Sequence, residues 1–187
     1  MELLLDEARQ LAGKGIKELI LVAQETTLYG MDLYGEKKLP ELLDRLCEIE
    51  GLIWIRIMYC YPEEITQELI DVMKRQPKIC HYLDIPIQSG SDRILKLMGR
   101  RTDTAQIEAL VDHLREEIPD ICIRTTFITG FPTETEEDFT ETMEFINRME
   151  FDRLGAFTYS PEEGTPAAVM DGQVEEEIKL RRQQEMM

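Results

Sequence analysis

The stretch Ile121-Cys122-Ile123-Arg124-Thr125-Thr126-Phe127-Ile128-Thr129-Gly130-Phe131-Pro132-Thr133-Glu134-Thr135-Glu136-Glu137 decides the fold. Its first eight residues are a mainly apolar, β-branched run, which reads as a strand. Gly130-Phe131-Pro132 is turn chemistry. Thr133 or Thr135 is then a plausible N-cap, and the acids that follow favour the positive end of a new helix. Strand, turn and helix in one short stretch make a βα unit. Working outward, comparable runs occur at Leu19–Ala23, Trp54–Tyr59, Tyr82–Ile87 and Leu154–Tyr159. The run Leu19-Ile20-Leu21-Val22-Ala23 fits a strand buried on both faces. Amphipathic segments lie between the runs at about 39–50, 64–75, 91–98, 104–118 and 135–148, with a helix before them at 2–13 and another after them at 174–186.

The strand ends fall near Gln24, Tyr59, Gln88, Gly130 and Ser160, separated by 35, 29, 42 and 30 residues. Those steps suit βα repeats and exclude a sandwich or a meander. Five repeats preceded by a helix predict an α/β fold, a parallel sheet curled into a partial (β/α) barrel that takes in the whole of 1–187 without a dividing linker. Residues 161–172 read as an exposed loop leading to the terminal helix. An α/β barrel normally opens with a strand, whereas this chain opens with a helix and stops abruptly at Met186-Met187. Both ends read as cut, which predicts a piece of a longer protein whose first strand and loop lie upstream of Met1.

Composition narrows the functions. The chain has 187 residues, 43% apolar, and 21 Lys and Arg against 38 Asp and Glu give a net charge of −17. So acidic a chain is poorly suited to bind nucleic acid by itself or to dock on an anionic membrane; a basic protein partner suits it better. No apolar run nears the roughly 18 residues that span a bilayer, and Met1-Glu2-Leu3-Leu4-Leu5-Asp6 lacks a signal peptide's basic start, so the default location is cytoplasmic. Cys47, Cys60, Cys80 and Cys122 are separated by 13, 20 and 42 residues, which gives neither a zinc knuckle nor a disulfide scaffold. Three of them sit in or beside strand-like runs, where a cysteine serves as a small buried hydrophobe. With only His81 and His113, a multi-histidine metal site is excluded.

In parallel α/β folds, function gathers at the carboxyl ends of the strands. Here those ends carry Gln24-Glu25-Thr26-Thr27, Tyr59-Cys60-Tyr61-Pro62, Gln88-Ser89-Gly90-Ser91, Gly130-Phe131-Pro132 and Tyr159-Ser160-Pro161. Asp84, a carboxylate inside an apolar strand, needs a partner. Either it is an internal strut with Arg56 or Arg124, or it faces a ligand, and the two roles are compatible. Gln88 and Ser89 suit capping of a helix that starts at Ser91, and the acidic face of Glu136, Glu137, Glu141 and Glu144 is most simply solvated. The residues by themselves describe a ligand-suited rim and name no reaction.

At these residues the chain resembles the radical S-adenosylmethionine methylthiotransferases, and within them the RimO type. The resemblance rests on Val22-Ala23-Gln24-Glu25-Thr26-Thr27 with Tyr29-Gly30 and Asp32-Leu33-Tyr34-Gly35; Trp54-Ile55-Arg56-Ile57-Met58-Tyr59; Tyr82-Leu83-Asp84-Ile85-Pro86-Ile87-Gln88; Ile94-Leu95-Lys96-Leu97-Met98; Arg124-Thr125-Thr126-Phe127-Ile128 with Gly130-Phe131-Pro132 and Glu134-Thr135-Glu136-Glu137-Asp138-Phe139; and Phe157, Tyr159-Ser160, Glu162 and Gly164. It implies a radical-SAM-like six-stranded partial barrel of which these five strands are the second to sixth. It implies S-adenosylmethionine and 4Fe-4S clusters as cofactors of the parent protein, which would methylthiolate an aspartate of small-subunit ribosomal protein twelve. The family's first strand, its Cys-x3-Cys-x2-Cys cluster loop, the N-terminal cluster domain and the C-terminal TRAM domain are absent from this sequence, and none of the four cysteines has the spacing to replace the cluster loop.

By position the resemblance implies cofactor-binding roles and leaves catalytic residues unassigned. Gln24 and Thr26 would lie near the methionine moiety, while Arg56, Asp84, Gln88 and Arg124 would contact its carboxylate or the ribose. Gly130 and Phe131 would run along the adenine, and Tyr159 would close the other side. The partner expected is a basic ribosomal protein. The alternative is a sister methylthiotransferase acting on transfer RNA, favoured by Ser89 where RimO-type chains often carry histidine and by Thr133 where the family often has glycine. Asp32-Leu33-Tyr34-Gly35, Tyr159-Ser160 with Glu162, and the acidity favour the ribosomal protein. A third reading is a non-catalytic remnant that binds S-adenosylmethionine weakly. The chain alone is expected to be inactive, and to self-associate through an exposed edge at Leu19–Ala23.

Overall fold

The computed structural model describes residues 1–187. In chain order the elements are α1 (Glu2–Gly13), β1 (Glu18–Leu21), α2 (Met31–Tyr34), α3 (Leu39–Cys47), β2 (Trp54–Ile57), α4 (Gln67–Arg75), β3 (Ile79–Gln88), α5 (Asp92–Leu97), α6 (Thr104–Glu117), β4 (Cys122–Thr129), α7 (Glu136–Met149), β5 (Arg153–Thr158) and α8 (Glu176–Met186). The strands form one five-stranded sheet in the order β1-β2-β3-β4-β5. The β1/β2, β2/β3 and β4/β5 pairs are parallel, as the predicted βα repeats require. The chain divides into two compact units, Met1–Ile85 with His113–Ile123, and Pro86–Asp112 with Arg124–Met187.

In the first unit, alternate residues of β2 and β3 build the core. Ile55, Ile57, Leu83 and Ile85 are fully buried, together with Leu43 and Leu46 of α3 and Val72 and Met73 of α4. On β2, Trp54 and Arg56 alternate with the buried isoleucines and are exposed and half-buried respectively, because successive strand side chains point to opposite faces. On β3, Cys80 and Tyr82 are half-buried, whereas Asp84, between Leu83 and Ile85, is buried. Two-sided burial of Leu19–Ala23 does not hold: Ile20 is 50% exposed and Val22 64%. A run of apolar residues cannot by itself distinguish a strand covered on both faces from one covered on one. β1 also stops at Leu21, short of the predicted end at Gln24, and β2 ends at Ile57 rather than Tyr59.

In the second unit, Phe127, Phe139 and Phe145 are buried with Ile94 and Met149. Phe151 lies 6.2 Å, centroid to centroid, from both Phe127 and Phe145. The predicted choice of cap resolves to Thr135, whose hydroxyl accepts from the Asp138 backbone N–H while the Asp138 carboxylate accepts from the Thr135 N–H at 2.8 Å, a capping box. Thr133 instead sits in a left-handed turn at φ 69°. Ser91 starts α5, yet its hydroxyl donates to Asp138 at 2.9 Å rather than to its own helix. Burial would raise the Asp138 carboxyl, but hydrogen bonds from Arg93, Thr135 and Ser91 hold it well below the usual carboxylate range. Glu136 stays exposed on the solvated acidic face and there pairs with Arg181 and Arg182 of α8. Within the predicted loop 161–172, Pro166–Val169 form a 3₁₀ turn. β5 ends at Thr158, two residues before the predicted Ser160.

Candidate functional site

In the first unit, the loops after β1 and β2 are sewn together by their own polar groups. Thr26 is buried; its hydroxyl donates to the Met58 carbonyl at 2.6 Å, and its N–H donates to the Tyr59 carbonyl at 3.0 Å. Glu25 Oε2 accepts from the Tyr61 N–H at 2.9 Å, while Oε1 accepts from the N–H and hydroxyl of Thr27. Glu25 is a bridging residue that sequence reasoning passed over, since nothing local marks a carboxylate as a link to a loop 36 residues on. Gln24 is exposed at the start of the same loop. Arg56 donates from Nε to Glu18 Oε1 at 2.7 Å, and its guanidinium lies 4.8 Å from the Tyr82 ring centre, so its ion pair runs across β1 and β2. Asp84 is 1% exposed and its backbone carbonyl accepts from the Cys60 N–H at 2.8 Å. Burial, with Glu25 and Asp84 nearby, pushes the Cys60 thiol far above its ordinary range, which makes it an unreactive core thiol.

The second unit holds a cavity of about 570 Å³ whose lining includes Gln88, Met98, Ile128, Phe131, Tyr159 and Ala167. It brings together three of the predicted site residues. Phe131 and Tyr159 meet edge to face, with centroids 5.4 Å apart and planes at 72°. Tyr159 is 8% exposed and its buried phenol oxygen has no hydrogen-bond partner. Buried tyrosine hydroxyls usually find a partner, so this group is suited to a ligand. Gln88 ends β3 with φ 82°, a left-handed backbone that is costly for a residue with a Cβ. Gly130 follows β4 with φ 72°, and its N–H donates to Glu134 Oε1 at 3.0 Å. Arg124 lies elsewhere, its guanidinium 3.3 Å from the Thr126 hydroxyl, and does not line this cavity.

Behind the cavity wall stands α8, whose contribution was not foreseen. Lys179 is 2% exposed; its ammonium donates to the Tyr159 carbonyl at 3.1 Å, pairs with Glu176 at 2.6 Å and lies 5.4 Å from the Tyr159 ring centre. Arg182 is equally buried and donates to both the carboxylate and the backbone carbonyl of Glu134, at 2.7 and 3.2 Å. Burial raises the Glu134 carboxyl above its ordinary value, against the Gly130 N–H and Arg182, which favour its ionised form.

An apolar slot with two aromatic walls, one strained glutamine and an unsatisfied phenol suits a flat heteroaromatic ring bearing a few polar edges. The same chain does not suit an iron–sulfur cluster. No group of three Cys, His, Asp or Glu side chains is placed to hold a metal ion, and of the four free thiols Cys47 and Cys60 are buried.

The model of the radical SAM superfamily matches residues 1–146. Among curated proteins, the ribosomal protein uS12 methylthiotransferase RimO of Lachnoclostridium phytofermentans is 62% identical over 187 residues, which is all of this chain and 42% of that protein. The protein of the same description from Desulfitobacterium hafniense is 53% identical over 186 residues and is likewise covered to 42%. The chain therefore spans less than half the length of these relatives. Among solved structures, coproporphyrinogen III oxidase (HemN) from Escherichia coli, a radical SAM enzyme, superposes with a TM-score of 0.73 at 22% identity, covering 97% of this chain and 43% of that one. The radical S-adenosylmethionine methyltransferase TsrM from Kitasatospora setae gives 0.67 at 18% identity, over 88% of this chain and 32% of its own. At those identities the two structures speak for the fold alone.

Proposed function

Because the chain belongs to the radical SAM superfamily and, within it, to the RimO methylthiotransferase family, we propose that it forms the S-adenosylmethionine-holding part of an enzyme that methylthiolates an aspartate of ribosomal protein uS12. The observation that carries this reading is the second unit's cavity, where Phe131 and the unsatisfied Tyr159 hydroxyl meet Gln88. S-adenosylmethionine, when bound, supplies the sulfonium chemistry of the reaction. Phe131 and Tyr159, packed edge to face, form the aromatic surface on which the adenine rests and exclude water from it, the Tyr159 hydroxyl serves a polar edge, and Gln88 takes a hydroxyl or amino group of the nucleoside. Gly130 stands behind that wall, where the absence of a Cβ leaves room for the Lys179 side chain. Gln24, Thr26, Arg56 and Asp84 belong to the first unit and Arg124 does not line the cavity, so none of them is assigned to the ligand. Of these, Thr26 has its hydroxyl proton committed to Met58 and Arg56 has Glu18 as its partner.

The substrate favoured is a basic protein, because a surface of net charge −17 attracts cations and repels a phosphate backbone. That substrate places the enzyme in the cytoplasm; no helix is long and apolar enough to cross a membrane. β1 stands at the edge of the sheet with Ile20 half exposed, and self-association through it follows from its open hydrogen-bonding side. Titrating the chain with S-adenosylmethionine while following amide resonances tests the site: shifts should centre on Gln88, Phe131 and Tyr159. Shifts confined to other residues refute the assignment. The chain alone should release no deoxyadenosine under reducing conditions, because it holds no cluster ligands. Incubation of the full-length parent with isolated small subunits and with transfer RNA decides between substrates.

A further inference from the structure

We infer that α8, through its buried Lys179 and Arg182, is the element that sets the shape of the nucleoside cavity. It lies beyond the 1–146 region that the radical SAM superfamily model matches. The inference rests on reading that cavity as a nucleoside site, and it makes Lys179 and Arg182 positioning residues, not ligands. The two walls of the cavity are Phe131, on the loop after β4, and Tyr159, just after β5. Each is held from behind by one of the two cations. Lys179 donates to the Tyr159 backbone carbonyl at 3.1 Å, and the Lys179 carbonyl in turn accepts from the Thr129 hydroxyl at 3.1 Å. Arg182 grips Glu134, whose carboxylate accepts the Gly130 N–H at 3.0 Å, so the turn Gly130–Glu134 is closed on α8 at both ends. Gly130 completes the fit: a Cβ there would fall inside van der Waals contact of Lys179 Cγ, with Cβ and Cδ of the same side chain at 3.1 Å. A cation costs several kcal/mol to bury, and a helix needed only for coverage has cheaper residues available. Two such cations fastened to the two loops that carry the aromatic walls fix where those rings stand.

The test uses the intact chain and its Lys179→Met variant. Methionine fills a similar volume, and the carboxylate it leaves behind, Glu176, is exposed, so no uncompensated charge is stranded in the interior. A purely structural lysine therefore predicts a melting temperature within a few degrees of the parent and unchanged ligand binding. The positioning role predicts that similar melting temperature together with about tenfold weaker binding of S-adenosylhomocysteine, the probe used. It also predicts a changed Tyr159 ring resonance and about tenfold faster hydrogen exchange at the Gly130 and Glu134 amides, both read without ligand. Unchanged binding, ring signal and exchange overturn the inference. If the parent chain binds no S-adenosylhomocysteine, the nucleoside reading of the cavity fails, and the ligand-free exchange and ring signal still decide whether α8 shapes the wall. Should Lys179→Met fail to fold, exchange in the parent chain decides: the Gly130 and Glu134 amides must open with the same protection as those of Lys179 and Arg182. Protection that differs by more than about tenfold shows that the loop stands without α8.

Discussion

Replacing Gly130 by alanine puts the packing behind the cavity to a quantitative trial. At φ 72° the backbone is left-handed, which costs an alanine about 1–2 kcal/mol. The new methyl group also meets the buried stem of Lys179, with Cβ and Cδ at 3.1 Å and Cγ nearer still. The stem has little freedom to swing aside, because its ammonium is tied to the Tyr159 carbonyl and to Glu176. Overpacking of that kind adds about 1–3 kcal/mol, for a total near 2–5 kcal/mol, and at about 2–4 °C per kcal/mol for a chain of this size the melting temperature should fall by about 4–20 °C. Gly99→Ala is the control, since Gly99 has the same φ of 72° and open space where a Cβ would go. It should show the left-handed cost alone. Urea unfolding followed by far-ultraviolet circular dichroism, with matched m values, reads the difference. Two variants that agree within about 0.5 kcal/mol would mean that Lys179 yields freely, and the reasoning about a rigid wall would be wrong.

Asp138→Asn should cost about 1–3 kcal/mol, the worth of charge-assisted hydrogen bonds to Arg93, Ser91 and Thr135. Because the Asp138 carboxyl is held below its unfolded value, its contribution is complete above about pH 4 and is lost as the pH falls further. The asparagine variant should therefore show a flatter acid limb in a stability–pH series, and an unchanged limb refutes the assignment. Tyr159→Phe removes an unpartnered buried hydroxyl, so the ligand-free chain should be unchanged or up to about 1 kcal/mol more stable while S-adenosylmethionine binds more weakly; thermal melts and titration check the two halves separately. Thr26→Val loses the bond to Met58 and should cost about 1 kcal/mol with no change in affinity, whereas a weakened affinity would return Thr26 to the ligand.

The order and kind of the elements were legible because hydrophobic period, glycine and capping chemistry are local signals. The turn at Gly130-Phe131-Pro132 and the Thr135 cap are cases where three or four adjacent residues carry the instruction. The open face of the sheet was harder to see. Arg56 between Ile55 and Ile57, and Arg124 and Thr126 between buried Ile123, Thr125 and Phe127, do alternate, but the aliphatic Ile20 in β1 and Val22 just beyond it hide the same alternation. Lys179 and Arg182 were illegible for a deeper reason. α8 reads Glu-Glu-Ile-Lys-Leu-Arg-Arg-Gln-Gln-Glu-Met, a helix polar all round, and polarity normally predicts exposure. Its burial depends on Glu134 and the Tyr159 carbonyl, 48 and 20 residues away, and no window of sequence contains that information.

Hydrogen-bond accounting then separates the two groups of candidate residues. Polar groups that a fold has already paired have little left to offer a ligand, since each new contact must first break an old one. In the first unit, the Thr26 hydroxyl and both Glu25 carboxylate oxygens are engaged in joining two loops, and Arg56 is engaged with Glu18; these residues hold the rim in shape. In the second unit the balance differs. The backbone behind the cavity is satisfied by α8, while the Tyr159 hydroxyl in front is left without a partner. A donor left unsatisfied in an apolar slot is a standing cost of about 1–3 kcal/mol, recovered when a ligand atom accepts from it. That difference between spent and spare hydrogen bonds is why Tyr159 and Phe131, rather than Thr26, are the residues on which recognition of the nucleoside should turn.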